Sequence, residues 1–330
     1  MNKQKQLEEF DQILKEWNST ELGRRAFMAS LPILMASCAT RSQHRHREGD
    51  NTGQATSMTV NDEKRMTQEV LPKMKKDYPA VKNTQMQNYI QSLGQKIVRA
   101  NNLANNPYQY NFTAVNVNYV NAFALPAGEI MVTAPLIAMA GSEAELAGVI
   151  GHEIGHVKAR HTAERMDAAK RAQRKSWMYA VGGGLLGGAT GFGLGKLLCR
   201  KEDKKCLSKA TAAGAGLGGM GGLLVQKYAF MQNSQEDELE ADRIGFRTSV
   251  AAGYHKDHVG KFYEKLLLME KKSQSSGKLM KSFADAMSTH PPSDQRVQQM
   301  NQMAQASKGK GRISSKTFER MQRLAKSLKA

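Results

Sequence analysis

Five residues, His152-Glu153-Ile154-Gly155-His156, constrain this chain more than any other feature. Histidines four apart share one face of an α-helix, so both imidazoles can reach one Zn²⁺ if the segment is helical. The surrounding sequence supplies that helix. Ser142 followed three residues later by Glu145 is a capping-box pattern, and Leu146, Val149 and Ile150 continue at helical spacing. A helix starting near Glu143 is predicted. Glu153 lies about 100° around it from His152, where a carboxylate holds a water beside the metal without ligating it. Zn²⁺ lowers the pKa of such a water, and the carboxylate takes its proton as it attacks a carbonyl. The pattern points to hydrolysis of peptide bonds.

A tetrahedral zinc needs a third protein ligand besides the two histidines, with a place left for water. Glu238 and Asp242 are four apart and share a helix face. One can ligate while the other accepts a hydrogen bond from a ligand imidazole and fixes its tautomer. Glu236 and Glu240 fall on another face and are expected in solvent. Upstream, Tyr108, Tyr110, Phe112 and Ala114 alternate with polar residues, the period of a half-buried strand. Asn121 to Leu125 and Glu129 to Thr133 read as two short strands joined through Pro126-Ala127-Gly128. Such an edge beside the zinc helix can receive an extended peptide as an added strand.

His152 to His161, Glu238-x-Glu240-Ala241-Asp242 and the run Asn121 to Val132 together resemble metallopeptidase family forty-eight, over about Asn61 to Met300. The resemblance implies an α+β fold: a mainly helical zincin with a small β-sheet beside the active helix. It implies one Zn²⁺ per chain held by His152, His156 and Glu238, with Glu153 as general base and Asp242 in support. Gln235 departs from the family, where an arginine is common. Thr289-His290-Pro291 matches a motif of the envelope branch, whose histidine can approach the metal and restrain activity; an exposed loop histidine before two prolines is the other reading of His290. His161 lies off the ligand face and reads as supporting or structural.

The first 37 residues read as targeting. Arg24-Arg25 resembles a twin-arginine signal, and the uncharged run Ala26 to Ser37 is too short for a permanent span. Small residues before Cys38 resemble a lipobox, so lipidation there would anchor the enzyme to a membrane; an uncleaved signal anchor is the alternative. Ala39 carries no aspartate retention signal, which favours the outer membrane. Residues 38–62 read as a flexible linker, 63–300 as the peptidase domain and 301–330 as a basic tail. Of three cysteines, Cys199 and Cys206 are left to pair in an oxidising compartment. They lie inside 176–227, whose glycines recur at four-residue spacing and read as a helical hairpin, packed on the domain or dipping into a membrane.

Five basic and five acidic residues cancel within the signal, so the mature chain keeps the net charge of +18. In the tail, Phe318, Met321, Ala325 and Leu328 make an apolar stripe on a basic helix, either merely solvated or suited to anionic lipid. No motif or aromatic platform supports nucleic acid as the partner. The expected function is endoproteolysis of unfolded or misassembled proteins of the bacterial envelope, facing the periplasm, with the substrate class implied by the resemblance. An assembly factor that holds such proteins and cleaves rarely is the alternative.

Overall fold

The computed structural model describes residues 56–105, 107–171, 233–276, 286 and 289–328. Helix α1 (Val60–Asp77) begins where the Thr59 hydroxyl accepts the Asp62 N–H and the Asp62 carboxylate accepts the Thr59 N–H. Helix α2 (Thr84–Ala100) is capped by Asn83 and buries Met86, Tyr89, Ile90, Leu93 and Ile97, one face at three- and four-residue steps. Three strands follow: β1 (Asn111–Val115), β2 (Ala122–Ala124) and β3 (Glu129–Thr133). Their order is β1-β3-β2, with β1 parallel to β3 and β2 antiparallel to it. The period of two divides the sheet between two cores. Phe112, Ala114, Ile130 and Val132 join the main core, while Val115, Phe123, Leu125 and Met131 meet Val70 and Met74 of α1.

A sheet this small has two edges, and α2 closes one. Gln87, Gln91 and Gln95 stand four residues apart on its surface. Gln87 donates to Ala114 O and accepts from Ala114 N, Gln91 accepts from Phe112 N, and Gln95 donates to Tyr110 O. This glutamine ladder satisfies the outer side of β1 as a neighbouring strand would. The other edge, β2, lies against the helix that carries the histidines.

After α3 (Ala134–Met139) comes that helix, α4 (Glu143–Lys158), buried from Glu143 through Val157. Ser142 Oγ accepts from Glu145 N at 3.1 Å. The Glu145 carboxylate does not complete a capping box; it accepts from Gly141 N and from Lys265. Arg160, with φ of 57°, ends α4, and residues 161–171 form the next helix, α5. Helix α6 (Gln235–Ala251) packs along α4, followed by α7 (Lys256–Val259), α8 (Lys261–Ser276), α9 (Asp294–Ala306) and α10 (Lys316–Ser327). A Cβ on Gly151 would stand 2.7 Å from Gly245 O, and one on Gly245 would stand 2.6 Å from His152 N. The two helices meet backbone to backbone at the first histidine.

Two expected boundaries move, and the tail packs differently from expectation. The linker was placed through residue 62, yet Ser57 donates to Asp167 at 2.7 Å, Met58 is buried and α1 starts at Val60. The boundary at Met300 falls inside α9. The tail stripe is not offered to lipid: Phe318, Met321 and Ala325 are buried in the main core and α10 packs on α2 and α3. Only its basic face, with Lys316, Arg320, Arg323 and Lys326, stays exposed. The signal, Cys38, the 176–227 hairpin and the Cys199–Cys206 pair lie outside the described residues. Among the described residues, no helix is long and apolar enough to cross a membrane.

Gly245→Ala is expected to destabilise the protein by about 1–3 kcal/mol, because the new methyl meets backbone that cannot yield. Urea denaturation reads the loss, and metal content is expected to fall with it because His152 is displaced. Wild-type stability with full metal content would refute the close-approach argument.

Candidate metal centre

Two helices and one loop bring four side chains to a point. His152 and His156 come from α4, Glu238 from the first turn of α6, and His290 from the segment before α9. One ligand atom from each lies within 4.8 Å of all the others. His152 Nε2 is 2.9 Å from His156 Nε2 and 3.3 Å from His290 Nδ1. Glu238 Oε2 is 3.3 Å from His152 Nε2, and Oε1 is 3.3 Å from His156 Nε2 and 3.1 Å from His290 Nδ1. Atoms bound to one tetrahedral Zn²⁺ stand about 3.4 Å apart, so the spacing suits the ion. Glu153, next to His152, has its Oε1 3.5 Å from His290 Nε2.

The tautomers give an independent test of fit. His152 Nδ1 lies 2.8 Å from Asp242 Oδ1, and His156 Nδ1 lies 2.7 Å from His161 Nδ1. With protons on both Nδ1 atoms, the two Nε2 lone pairs face each other at 2.9 Å. A cation between them would take both lone pairs; without one, the charged His152 donates its Nε2 proton to His156 across the same gap. The donor set fits a metal.

Arg296 was not found in the sequence, and it organises the site. Its Nε and Nη2 donate to the two oxygens of Asp242, both at 2.7 Å, and Nη1 is 2.7 Å from Glu238 Oε2. Nη1 also donates to Pro291 O, which ties the His290 loop to the same group. The guanidinium is stacked on Tyr263, 4.6 Å from the ring centre. Ser293 caps α9 and thereby sets Arg296 in its first turn. No periodicity marks this residue; the only sequence signal is that two carboxylates four apart on a buried helix face need a cation. Asn233 was also missed. Its amide donates to Glu238 Oε1 and to Thr289 O just before the α6 cap. Glu240, expected in solvent, is buried and 3.2 Å from His161 Nε2. Gln235 donates to Gln295 at the surface, and His255, the cap of α7, meets His258 of that helix edge to face.

Burial works against each charge here, and the neighbours decide. Burial would raise the carboxyls of Glu238 and Asp242, but Arg296 holds Glu238 well below the usual range and Asp242 below it. Burial opposes the His152 cation, yet Glu238 and Asp242 push its pKa up to about 9. Burial and then the His152 charge hold His156 well below its ordinary value. Burial raises Glu153, partly opposed by His290 and His152. That suits a base whose task is to take up a proton near neutrality. Beside Glu153 and His152 lies a small pocket of about 20 Å³ walled by Ala122, Leu136, Val149 and Phe262.

The model of Peptidase family M48 matches residues 84–304. The chain belongs to this family. Its mainly helical build with a three-stranded sheet is the zincin-like fold, and its class is that of the metallopeptidases. The Beta-barrel assembly-enhancing protease of Escherichia coli K12 is 27% identical over 217 residues, covering 66% of this chain and 40% of the relative. Its namesake in Yersinia pestis is 25% identical over 268 residues, 81% of this chain and 49% of the relative. The Mitochondrial metalloendopeptidase OMA1 of Arabidopsis thaliana is 32% identical over 196 residues, 58% of this chain and 32% of the relative. The chain spans half or less of the length of these curated relatives.

Arg296→Met is expected to cost about 3–5 kcal/mol, since it strands two buried carboxylates without their counter-charge. Arg296→Lys is expected to recover only part of this, because an ammonium cannot fork across both partners. Chemical denaturation of the metal-free chains measures both. A Met variant as stable as wild type would show that the carboxylates do not depend on the arginine.

Proposed function

We propose that this member of the family is a zinc-dependent endopeptidase of the bacterial envelope, with Zn²⁺ held by His152, His156 and Glu238. The observation that carries the reading is the convergence of ligand atoms from His152, His156, Glu238 and His290 within 4.8 Å of one another, the first three on a buried pair of helices. Bound there, Zn²⁺ supplies Lewis acidity, which acidifies a water and polarises a carbonyl. The protein does the rest. Glu153 takes the proton of the attacking water and delivers it to the leaving amine. Asp242, clamped by Arg296, keeps the Nδ1 proton on His152. An extended substrate adds to β2, the sheet edge next to α4, and so lies alongside Glu153.

His290 restrains this activity. Its Nδ1 stands 3.1 Å from Glu238 and its Nε2 3.5 Å from Glu153, so it fills the place where water and substrate must come. Withdrawal of the loop 289–291 opens the site. The substrates we propose are misassembled envelope proteins, in keeping with the name of the Escherichia coli relative. We further propose export by residues 1–37, lipidation at Cys38, residence on the periplasmic side of the outer membrane and a Cys199–Cys206 disulfide. An assembly factor that cleaves rarely is the second reading, favoured by a histidine standing over the base in the resting site.

Glu153→Gln is expected to keep one zinc per chain and lose casein cleavage by at least about a hundredfold, the scale of a missing general base. Glu238→Ala is expected to lose the metal itself. His290→Ala is expected to retain zinc and cleave faster than wild type. Metal analysis and a casein assay on the same preparations separate the outcomes. A fully active Glu153→Gln chain would sink the mechanism, and a slower His290→Ala chain would sink the restraint.

Mass spectrometry of membrane-isolated protein is expected to find an acylated Cys38 as the first residue. Met1 joined to an unmodified Cys38 would defeat the lipoprotein reading.

A further inference from the structure

His161 and Glu240 are buried beside the centre, at 1% and 2% exposure, and take no part in holding the metal or in the chemistry above. Their geometry determines where the protons lie. His161 Nε2 is 3.2 Å from Glu240 Oε2 and 3.8 Å from Asp237 Oδ1. A carboxylate accepts, so His161 carries its proton on Nε2 and presents a lone pair at Nδ1. That lone pair is 2.7 Å from His156 Nδ1, which must therefore donate. His156 is left with its own lone pair on Nε2, turned into the ligand cluster.

The fold brings this about by breaking a helix. Residues five apart on a continuous α-helix point about 140° away from each other and cannot touch. Arg160 takes a left-handed conformation at φ 57°, α4 ends, and α5 begins with His161 folded back against His156. The arginine is held in that conformation by Glu63 and the Met58 carbonyl of the N-terminal segment. Glu240 reaches the same point from the side of α6 that Glu238 and Asp242 do not use.

We infer that His161 and Glu240 form an outer relay, carboxylate to imidazole to imidazole, that locks His156 in its metal-binding tautomer. They are positioning residues: neither touches the metal or the substrate. The relay parallels the Asp242–Arg296 support behind His152, so each ligand histidine has its own backing from α6 or α5. This inference rests on the assignment of His156 as a ligand.

The test uses the full zinc-loaded chain labelled with ¹⁵N-histidine. Imidazole correlation spectra are expected to show His161 protonated on Nε2 and bare on Nδ1. The reverse tautomer would set two donors against each other and overturns the relay. Chelator competition is expected to show zinc binding weakened roughly 10–100-fold in His161→Phe, the scale for lost support behind a ligand imidazole. Glu240→Gln, which still accepts, is expected to lose less than Glu240→Ala. Adding Glu240→Ala to His161→Phe is expected to cost no further zinc affinity, because the carboxylate reaches His156 through that imidazole. Additive losses, as a merely structural role would give, or affinity unchanged in His161→Phe, overturn the proposal. If His161→Phe does not fold, the two Glu240 variants decide it, and affinities equal to wild type in both overturn it. Wild-type protein that takes up no zinc would instead remove the metal reading beneath.

Discussion

A single guanidinium makes the site possible. Glu238 and Asp242 are both fully buried, and a buried carboxylate without a counter-charge costs several kcal/mol. Arg296 reaches both because they lie four residues apart on one face of α6, within the span of one planar fork. A lysine could neutralise one of them but would not bridge the pair. The same arginine holds the Pro291 carbonyl and so sets where the His290 loop lies. One residue thus fixes Glu238, the carboxylate behind His152 and the base of the His290 loop.

Precision in α4 comes from the absence of side chains as much as from their presence. His152 can meet Asp242 at 2.8 Å only because Gly151 and Gly245 let the two helices close backbone to backbone. On the other side α4 faces β2, whose partner strand β3 is shared with β1. The outer side of β1 is closed by amides from α2. The sheet therefore has one edge closed by α2 and the other, β2, next to the helix that carries the histidines.

The helix with the two histidines was legible in the sequence because spacing, cap and motif agreed there. Strand β3 was legible to the residue, and β2 nearly so, since alternation and a Pro-Ala-Gly turn marked them. What the sequence could not supply was long-range pairing. Arg296 is 54 residues from Asp242, and no local pattern joins them. Glu240 was misread for a related reason: helical phase gives the face but not whether a neighbour covers it, and α5 covers that one. The tail shows the same limit. An amphipathic basic helix reads alike whether its stripe meets lipid or a core, and here Phe318 and Met321 meet the core.

The outlying segments of the described chain both end on α4. At its start, the N–H groups of Glu143, Ala144 and Glu145 have no partner within the helix. Ser142 takes the third, while Ser314 Oγ and Ile313 O take the first two at 3.2 and 2.9 Å. At its end, Arg160 is fastened to Glu63 and Met58, more than ninety residues upstream. A helix that carries its polar chemistry into a dry core cannot rely on water to satisfy its termini. Segments remote in sequence do so instead, one clamping the end near His156 and the other the end before His152. The position of both histidines along the helix axis is thereby set by the folding of the whole domain. The geometry of the His/Glu cluster and domain integrity are one constraint here, because loosening either clamp would let α4 slide against α6, where the close approach of Gly151 and Gly245 leaves no room for an intermediate register.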